Sequence, residues 1–278
     1  MRIGALIEIS RNSSIEGEFR RLQEMELNCC QVLFWDTTMY TQDVADEMKA
    51  AAKKYGIEIT ALWAGWAGPQ DWGFTYGPET IGLVPSTYRE SRLKELYAAS
   101  DFLQMLGITD MITHVGYLPE RGDDPDFVGV IAALRALCAH LEERGQYFLF
   151  EAGEETPTTL IRAFERIGTN NLGVNFDTAN LISYGKGNPL DALEIFGKYV
   201  RNTHCKDSYY PPCGDLLGEE AKFGEGKVNF PAVFAKLKEL GYTGPYIIER
   251  EITGEQQTAD IKEARKLILA MLKDLGIE

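Results

Sequence analysis

Histidine is scarce in this chain. Its 278 residues hold only three, His114, His140 and His204, which sets aside a metal cluster built on many histidines. Basic residues are also short, 28 lysines and arginines against 42 aspartates and glutamates. The resulting net charge of −14 repels phosphate backbones and anionic lipid, so nucleic acid and membrane are set aside as partners. No apolar run approaches the roughly 18 residues of a membrane span. The opening apolar stretch is interrupted at Glu8 without a small-residue cleavage pattern, so the expected compartment is the cytoplasm. Cysteine is present five times, an odd number, and never in CxxC spacing. That argues against a disulfide framework or a zinc ribbon and for small buried thiols. No GxGxxG or GxxxxGK[ST] follows any apolar run, which removes the usual support for a nucleotide-binding open sheet.

What remains is a regular alternation of strand-like and helix-like segments. Strands are expected over 2–9, 29–35, 57–63, 108–114, 146–151, 172–177, 200–206 and 245–249. Helices are expected over 14–25, 41–55, 88–106, 126–144, 158–167, 190–196, 230–240 and 258–275. Glycines 56, 107, 145, 168 and 241 fall where left-handed helix caps would sit. Strict alternation implies parallel strands joined by right-handed crossovers. Eight such units in a chain of this length predict a single (β/α)8 barrel over residues 1–278. Residues 64–86 form an excursion rich in Trp, Phe, Tyr, Gly and Pro. It is too long for an ordinary connection and reads as a lid over the barrel mouth.

Four late strands each end in an ionisable residue: Tyr147-Phe148-Leu149-Phe150-Glu151, Leu172 to Asp177, the segment containing His204, and Tyr246-Ile247-Ile248-Glu249. Strands of a parallel sheet are covered on both faces and read as continuous apolar runs, so a polar end on four strands in succession needs a cause. Barrel closure brings C-terminal strand ends to one mouth. Three carboxylates meeting there repel each other unless a cation neutralises them. One imidazole and three oxygen donors suit Mn2+, Mg2+ or Co2+, and less specifically Zn2+. Glu151, Asp177, His204 and Glu249 are therefore the expected ligands of one divalent metal ion. Glu251 shares the parity of Glu249 and is the reserve ligand. Lys206 shares the parity of His204 and is expected to bind a substrate oxygen or a phosphate, with Asp207 turned the other way to orient a neighbour. Trp35, Trp63 and Trp66 lie at or just past strand ends. They either stack on a sugar ring or plug the barrel; the substrate-wall reading is adopted.

The motifs Phe150-Glu151, Asn175-Phe176-Asp177-Thr178-Ala179-Asn180, His204-Cys205-Lys206-Asp207, Gly224-Glu225-Gly226-Lys227-Val228-Asn229-Phe230 and Gly241-Tyr242-Thr243-Gly244-Pro245, followed by Ile248-Glu249, are informative as a set. Together they make the chain resemble the sugar phosphate isomerase/epimerase family with a xylose isomerase-like barrel, which includes ketose 3-epimerases, inosose dehydratase and apurinic endonucleases. The resemblance spans nearly the whole chain. It implies that the two glutamates among the four ligands, Glu151 and Glu249, also act as an acid/base pair. One would remove a proton beside a carbonyl, through a metal-stabilised enediolate, and the other would return it. It implies substrate contact at His114, a small sugar-like substrate, and a homodimer or homotetramer. The ketose 3-epimerases carry a histidine three residues after the metal-binding aspartate. This chain has Asn180 there, which can hydrogen-bond a substrate hydroxyl or a metal-bound water but cannot carry charge. The expected activity is isomerisation or epimerisation of a sugar, sugar phosphate or keto-polyol. The alternatives are a keto-sugar or keto-inositol dehydratase or lyase on the same site, a non-catalytic sugar-binding barrel, and, last, a nuclease.

Overall fold

A computed structural model describes residues 1–277. Eight parallel strands close into a barrel. In chain order they are β1 (Ile3–Glu8), β2 (Cys29–Phe34), β3 (Glu58–Ala64), β4 (Asp110–Thr113), β5 (Tyr147–Glu151), β6 (Leu172–Asp177), β7 (Val200–Cys205) and, after a two-stranded hairpin of β8 (Asp207–Ser208) and β9 (Glu220–Ala221), β10 (Tyr246–Ile248). β1 pairs with both β2 and β10, which closes the ring. The main helices are α1 (Ile15–Glu24), α2 (Gln42–Tyr55), α4 (Ser86–Leu106), α5 (Pro125–Glu142), α6 (Pro157–Ile167), α8 (Pro189–Phe196), α9 (Phe230–Glu239) and α10 (Gly254–Asp274). Two short helices were not expected, α3 (Gly77–Thr80) inside the excursion and α7 (Asn180–Ser183) just after β6.

Alternation along each strand divides the core. Phe148, Phe150, Val174 and Phe176 are fully buried in the large core shared with the outer helices. The opposite parity faces the barrel interior, where Ala61, Trp63, Ile112 and Leu149 form a second apolar cluster. That same inward parity carries Glu151 above Leu149 and Asp177 above Asn175. Hydrophobic layers below and ionisable residues above are thus one consequence of period-two geometry.

Five strands stop one residue earlier than the sequence suggests, and at three of them, β4, β7 and β10, loop groups replace ladder partners at the mouth. Beyond Thr113 the Val115 carbonyl accepts from the N–H groups of Leu83 and Val84, so His114 lies just past β4. Beyond Cys205 the Thr178 hydroxyl donates to the Lys206 carbonyl and accepts from its N–H. Glu249 likewise follows β10, where the next backbone contact is from the Glu251 N–H to the Glu220 carboxylate.

The excursion is anchored rather than loose. The buried Arg92 of α4 donates to the carbonyls of Gly82 (2.6 Å) and Pro69 (3.0 Å), and the Tyr117 hydroxyl donates to the Trp72 carbonyl at 2.9 Å. At Gly82 the backbone has φ +67°, and an added Cβ would sit 2.2 Å from the Val115 carbonyl. Left-handed backbone and close approach together require glycine there. Gly82→Ala should therefore lower stability by about 2 kcal/mol. Chemical denaturation of the variant checks this, and an unchanged midpoint would show that the loop is not pinned at Gly82.

Candidate metal centre and substrate cavity

The inward-facing ends of β5, β6 and β7 and the residue after β10 converge. One ligand-type atom from each of Glu151, Asp177, His204 and Glu249 lies within 4.8 Å of the others. Asp177 and His204 are direct neighbours across the β6–β7 ladder. His204 Nδ1 is 2.9 Å from Glu151 Oε1, 3.1 Å from Glu249 Oε2 and 3.6 Å from Asp177 Oδ2. Yet His204 Nδ1, Asp177 Oδ2 and Glu249 Oε2 are all buried without a partner in hydrogen-bond geometry.

The remaining atoms of these side chains are held from behind. His204 Nε2 meets Gln31 Oε1 at 2.6 Å, Gln31 Nε2 donates to Asn175 Oδ1 at 2.9 Å, and Asn175 Nδ2 donates to Glu151 Oε2. Gln31 Oε1 can only accept, so the proton sits on Nε2. A neutral His204 then turns its Nδ1 lone pair toward the carboxylates. One relay of two amides thereby aims both Glu151 and His204. Asp177 Oδ1 accepts from the N–H groups of Ala179 (2.7 Å) and Asn180 (2.8 Å), which leaves Oδ2 directed to the centre.

This crowding demands positive charge. Burial disfavours a charged imidazole, but Glu151 and Glu249 outweigh it and hold the His204 proton well above the usual histidine range. Burial pushes the Asp177 carboxyl up to about 6, against the pull of Lys206. Burial also opposes ionisation of Glu249, but Lys206 and His204 prevail and hold it well below the usual carboxylate range. A divalent cation meets the same demand with His204 neutral. Three unpartnered inward atoms, one nitrogen donor and three carboxylates fit such an ion.

Above this centre opens a cavity of about 450 Å3. Of the expected substrate contacts, His114, Asn180, Lys206, Trp35 and Trp63 line it, as does Glu8. Trp66 does not. It is buried behind the wall with its ring 5.0 Å from the Arg92 guanidinium. The wall position goes instead to Trp72 of the excursion, whose ring packs edge-on at 6.4 Å against Trp35. Glu251 stands outside the four-residue cluster and pairs with Lys206, while Arg250 pairs with Glu220 and Asp260. Asp207 accepts from the N–H groups of Ser208, Gly224, Gly226 and Val228, and a Cβ on Gly226 would lie 2.2 Å from its Oδ1. This explains why the motif at 204–207 accompanies the glycine-containing motif at 224–230. His140 is on α5, edge-on to Tyr97, and takes no part.

The sequence reading missed Gln31, Asn175 and Glu154. The first two carried a signal, since each is a polar residue inside an otherwise apolar strand. Glu154 carried none, being one acid of a loop pair. It is fully buried, with a carboxylate oxygen 2.7 Å from His114 Nδ1. Burial opposes charge on His114, but Glu154 overrides it and holds its proton up to about 9.

The family described as the xylose isomerase-like TIM barrel matches residues 19–273. The chain belongs to that family. A xylose isomerase domain protein from Planctomyces limnophilus, known as a crystal structure, is 32% identical, with a TM-score of 0.92 over 99% of this chain and 98% of its own. An inosose dehydratase of Geobacillus kaustophilus is 21% identical over 77% of this chain and 73% of its own length. An L-ribulose-5-phosphate 3-epimerase of Salmonella paratyphi C is 43% identical, but over only 20% of each chain. The match to the first curated relatives thus spans 31% or less of their length.

Two outcomes follow from this geometry. Gln31→Leu should keep the fold and weaken divalent-metal binding by about 10- to 100-fold, read by titration with Mn2+; undiminished affinity would remove the relay from any role in aiming His204. Glu154→Gln should move the His114 titration down from about 9, read by nitrogen NMR of the imidazole. The His114 pKa is raised above its ordinary 6.5. The stability from this pair is therefore fully present below that value and is lost as pH rises through about 9.

Proposed function

We propose that this protein is a divalent-metal-dependent isomerase or epimerase that moves a proton beside the carbonyl of a sugar, sugar phosphate or keto-polyol. One observation carries the reading: three buried, unpartnered atoms of His204, Asp177 and Glu249 directed at the same point as a Glu151 oxygen. Glu151, Asp177, His204 and Glu249 would hold the ion, with Mn2+, Mg2+ or Co2+ favoured by the oxygen-rich set. When bound, the ion would supply Lewis-acid polarisation of a carbonyl and stabilise negative charge on its oxygen.

The chain's own groups do the rest. Glu151 and Glu249 enter from different strands, and each has an oxygen at the centre. One would take the proton from the carbon next to the carbonyl and the other would return it. Glu249 suits the base role, because the Lys206 ammonium 3.2 Å away favours its ionised form against burial. Asn175 fixes Glu151 through its second oxygen. Lys206, Asn180 and His114 present polar atoms to substrate oxygens, and Trp35, Trp63 and Trp72 offer apolar ring faces and limit water. The substrate would be a small molecule and the enzyme cytoplasmic. The described residues include no helix long and apolar enough to cross a membrane.

The likeness to inosose dehydratase over 77% of this chain favours a second reading. In it the same proton abstraction is followed by loss of a β-substituent. Both readings share the first step, and the same test addresses it. Chelation should abolish activity, and Mn2+ should restore it. Glu151→Gln should retain the fold while slowing exchange of substrate C–H protons with deuterated solvent by about 100-fold or more. Exchange at the native rate in that variant would end the assignment of Glu151 as an acid/base group.

A further inference from the structure

The charge layout of the cavity bears on what may enter it. Its lining contains four carboxylates, Glu8, Glu220, Glu249 and Glu251, and two permanent cations, Lys206 and Arg250. Neither cation is free. Lys206 Nζ is in contact with Glu251, lies 3.2 Å from Glu249 and 3.7 Å from Asp177, and reaches Asn180 Oδ1 at 3.5 Å. Arg250 donates to Glu220 at 2.5 Å and to Asp260 at 2.9 Å. The two pairs are tied together, because the Glu220 carboxylate also accepts from the Glu251 backbone N–H at 3.1 Å. Helix α10 starts beside Thr253 at the cavity edge, and Glu255 in its first turn offsets the positive end that could otherwise attract an anion. His114 is already paired with Glu154.

A phosphate or carboxylate on a substrate would have to displace one of these bonds and leave a carboxylate uncompensated in a partly buried site. A neutral polyol has no such cost. Its hydroxyls can share the acceptor oxygens and the Lys206 and Asn180 donors, while its C–H faces meet Trp35, Trp63 and Trp72.

We propose that Glu251 and Glu220 are specificity-determining residues that occupy the two cavity cations, so that the site takes an uncharged keto-sugar or keto-polyol and rejects its phosphorylated form. The proposal rests on the proton-transfer reading above and narrows its substrate class.

The test is a binding panel on the Mn2+-loaded full chain. Ketopentoses and ketohexoses are compared pairwise with their terminal monophosphates through the fluorescence of the cavity tryptophans, with inorganic phosphate as competitor. Neutral members should bind about tenfold or more tightly than their monophosphates, and phosphate should not compete. In Glu251→Gln the preference should shrink several-fold through tighter monophosphate binding. Glu220→Gln provides the same reading at Arg250, should the first variant fold poorly. Monophosphates that bind as tightly as the neutral sugars to the native protein would overturn the proposal, as would a preference unaltered in both variants. Deuterium exchange is read in the same samples. Neutral-sugar binding without exchange sinks the isomerase reading and leaves the specificity assignment standing, whereas efficient exchange on monophosphates does the reverse.

Discussion

Mutual repulsion among three carboxylates around His204, two buried and one partly buried, is the constraint on which the upper half of this barrel depends. Ion pairs buried this deeply are expensive unless every charge is matched. The matching here is distributed. Lys206 compensates Glu249 and Asp177 from above, two backbone N–H groups take one Asp177 oxygen, and the Gln31–Asn175 relay takes one Glu151 oxygen and the far nitrogen of His204. His204 Nδ1, Asp177 Oδ2 and Glu249 Oε2 are still left without a hydrogen-bond partner, and they meet beside a Glu151 oxygen. A site that only had to be stable would pair them with one another.

The same economy of charge extends outward to the cavity. Each cation lining the cavity is tied to a carboxylate, and each tie has a second anchor in the backbone or in another acid. Lys206 thus acts twice, neutralising the centre and receiving Glu251. The anchored excursion completes the enclosure. Arg92 and Tyr117 hold its backbone, and Trp72 supplies the wall that Trp66 does not. Trp66 faces the Arg92 guanidinium instead, so packing around one buried arginine decides which tryptophan meets the cavity.

Much of this was legible before the fold was known, for a physical reason. Parallel strands buried on both faces have no use for Glu, Asp or His, so Glu151, Asp177, His204 and Glu249 stood out against the apolar runs that precede them. The alternation of elements implied a closed barrel, and closure implied convergence. The positions of His114 and Lys206 just beyond their strands were harder to read, because the loss of ladder bonds there depends on Val115 meeting the excursion and on Thr178 meeting Lys206. Gln31 and Asn175 interrupt apolar strands too, but a single amide gives no hint of its partner.

The sequence by itself determined the strand and helix alternation, the inward parity of the ionisable strand ends and the ligand types available. These depend on local periodicity and on side-chain chemistry. Only the tertiary structure decided that Gln31, 144 and 173 residues away from its two partners, aims His204. It also decided that Glu154 faces His114, that Glu251 belongs to Lys206 rather than to the four-residue cluster, and that Trp72 takes the cavity-wall place expected of Trp66. Each of these is a pairing across strands or loops, and pairings are set by barrel closure and loop packing, which no run of neighbouring residues records.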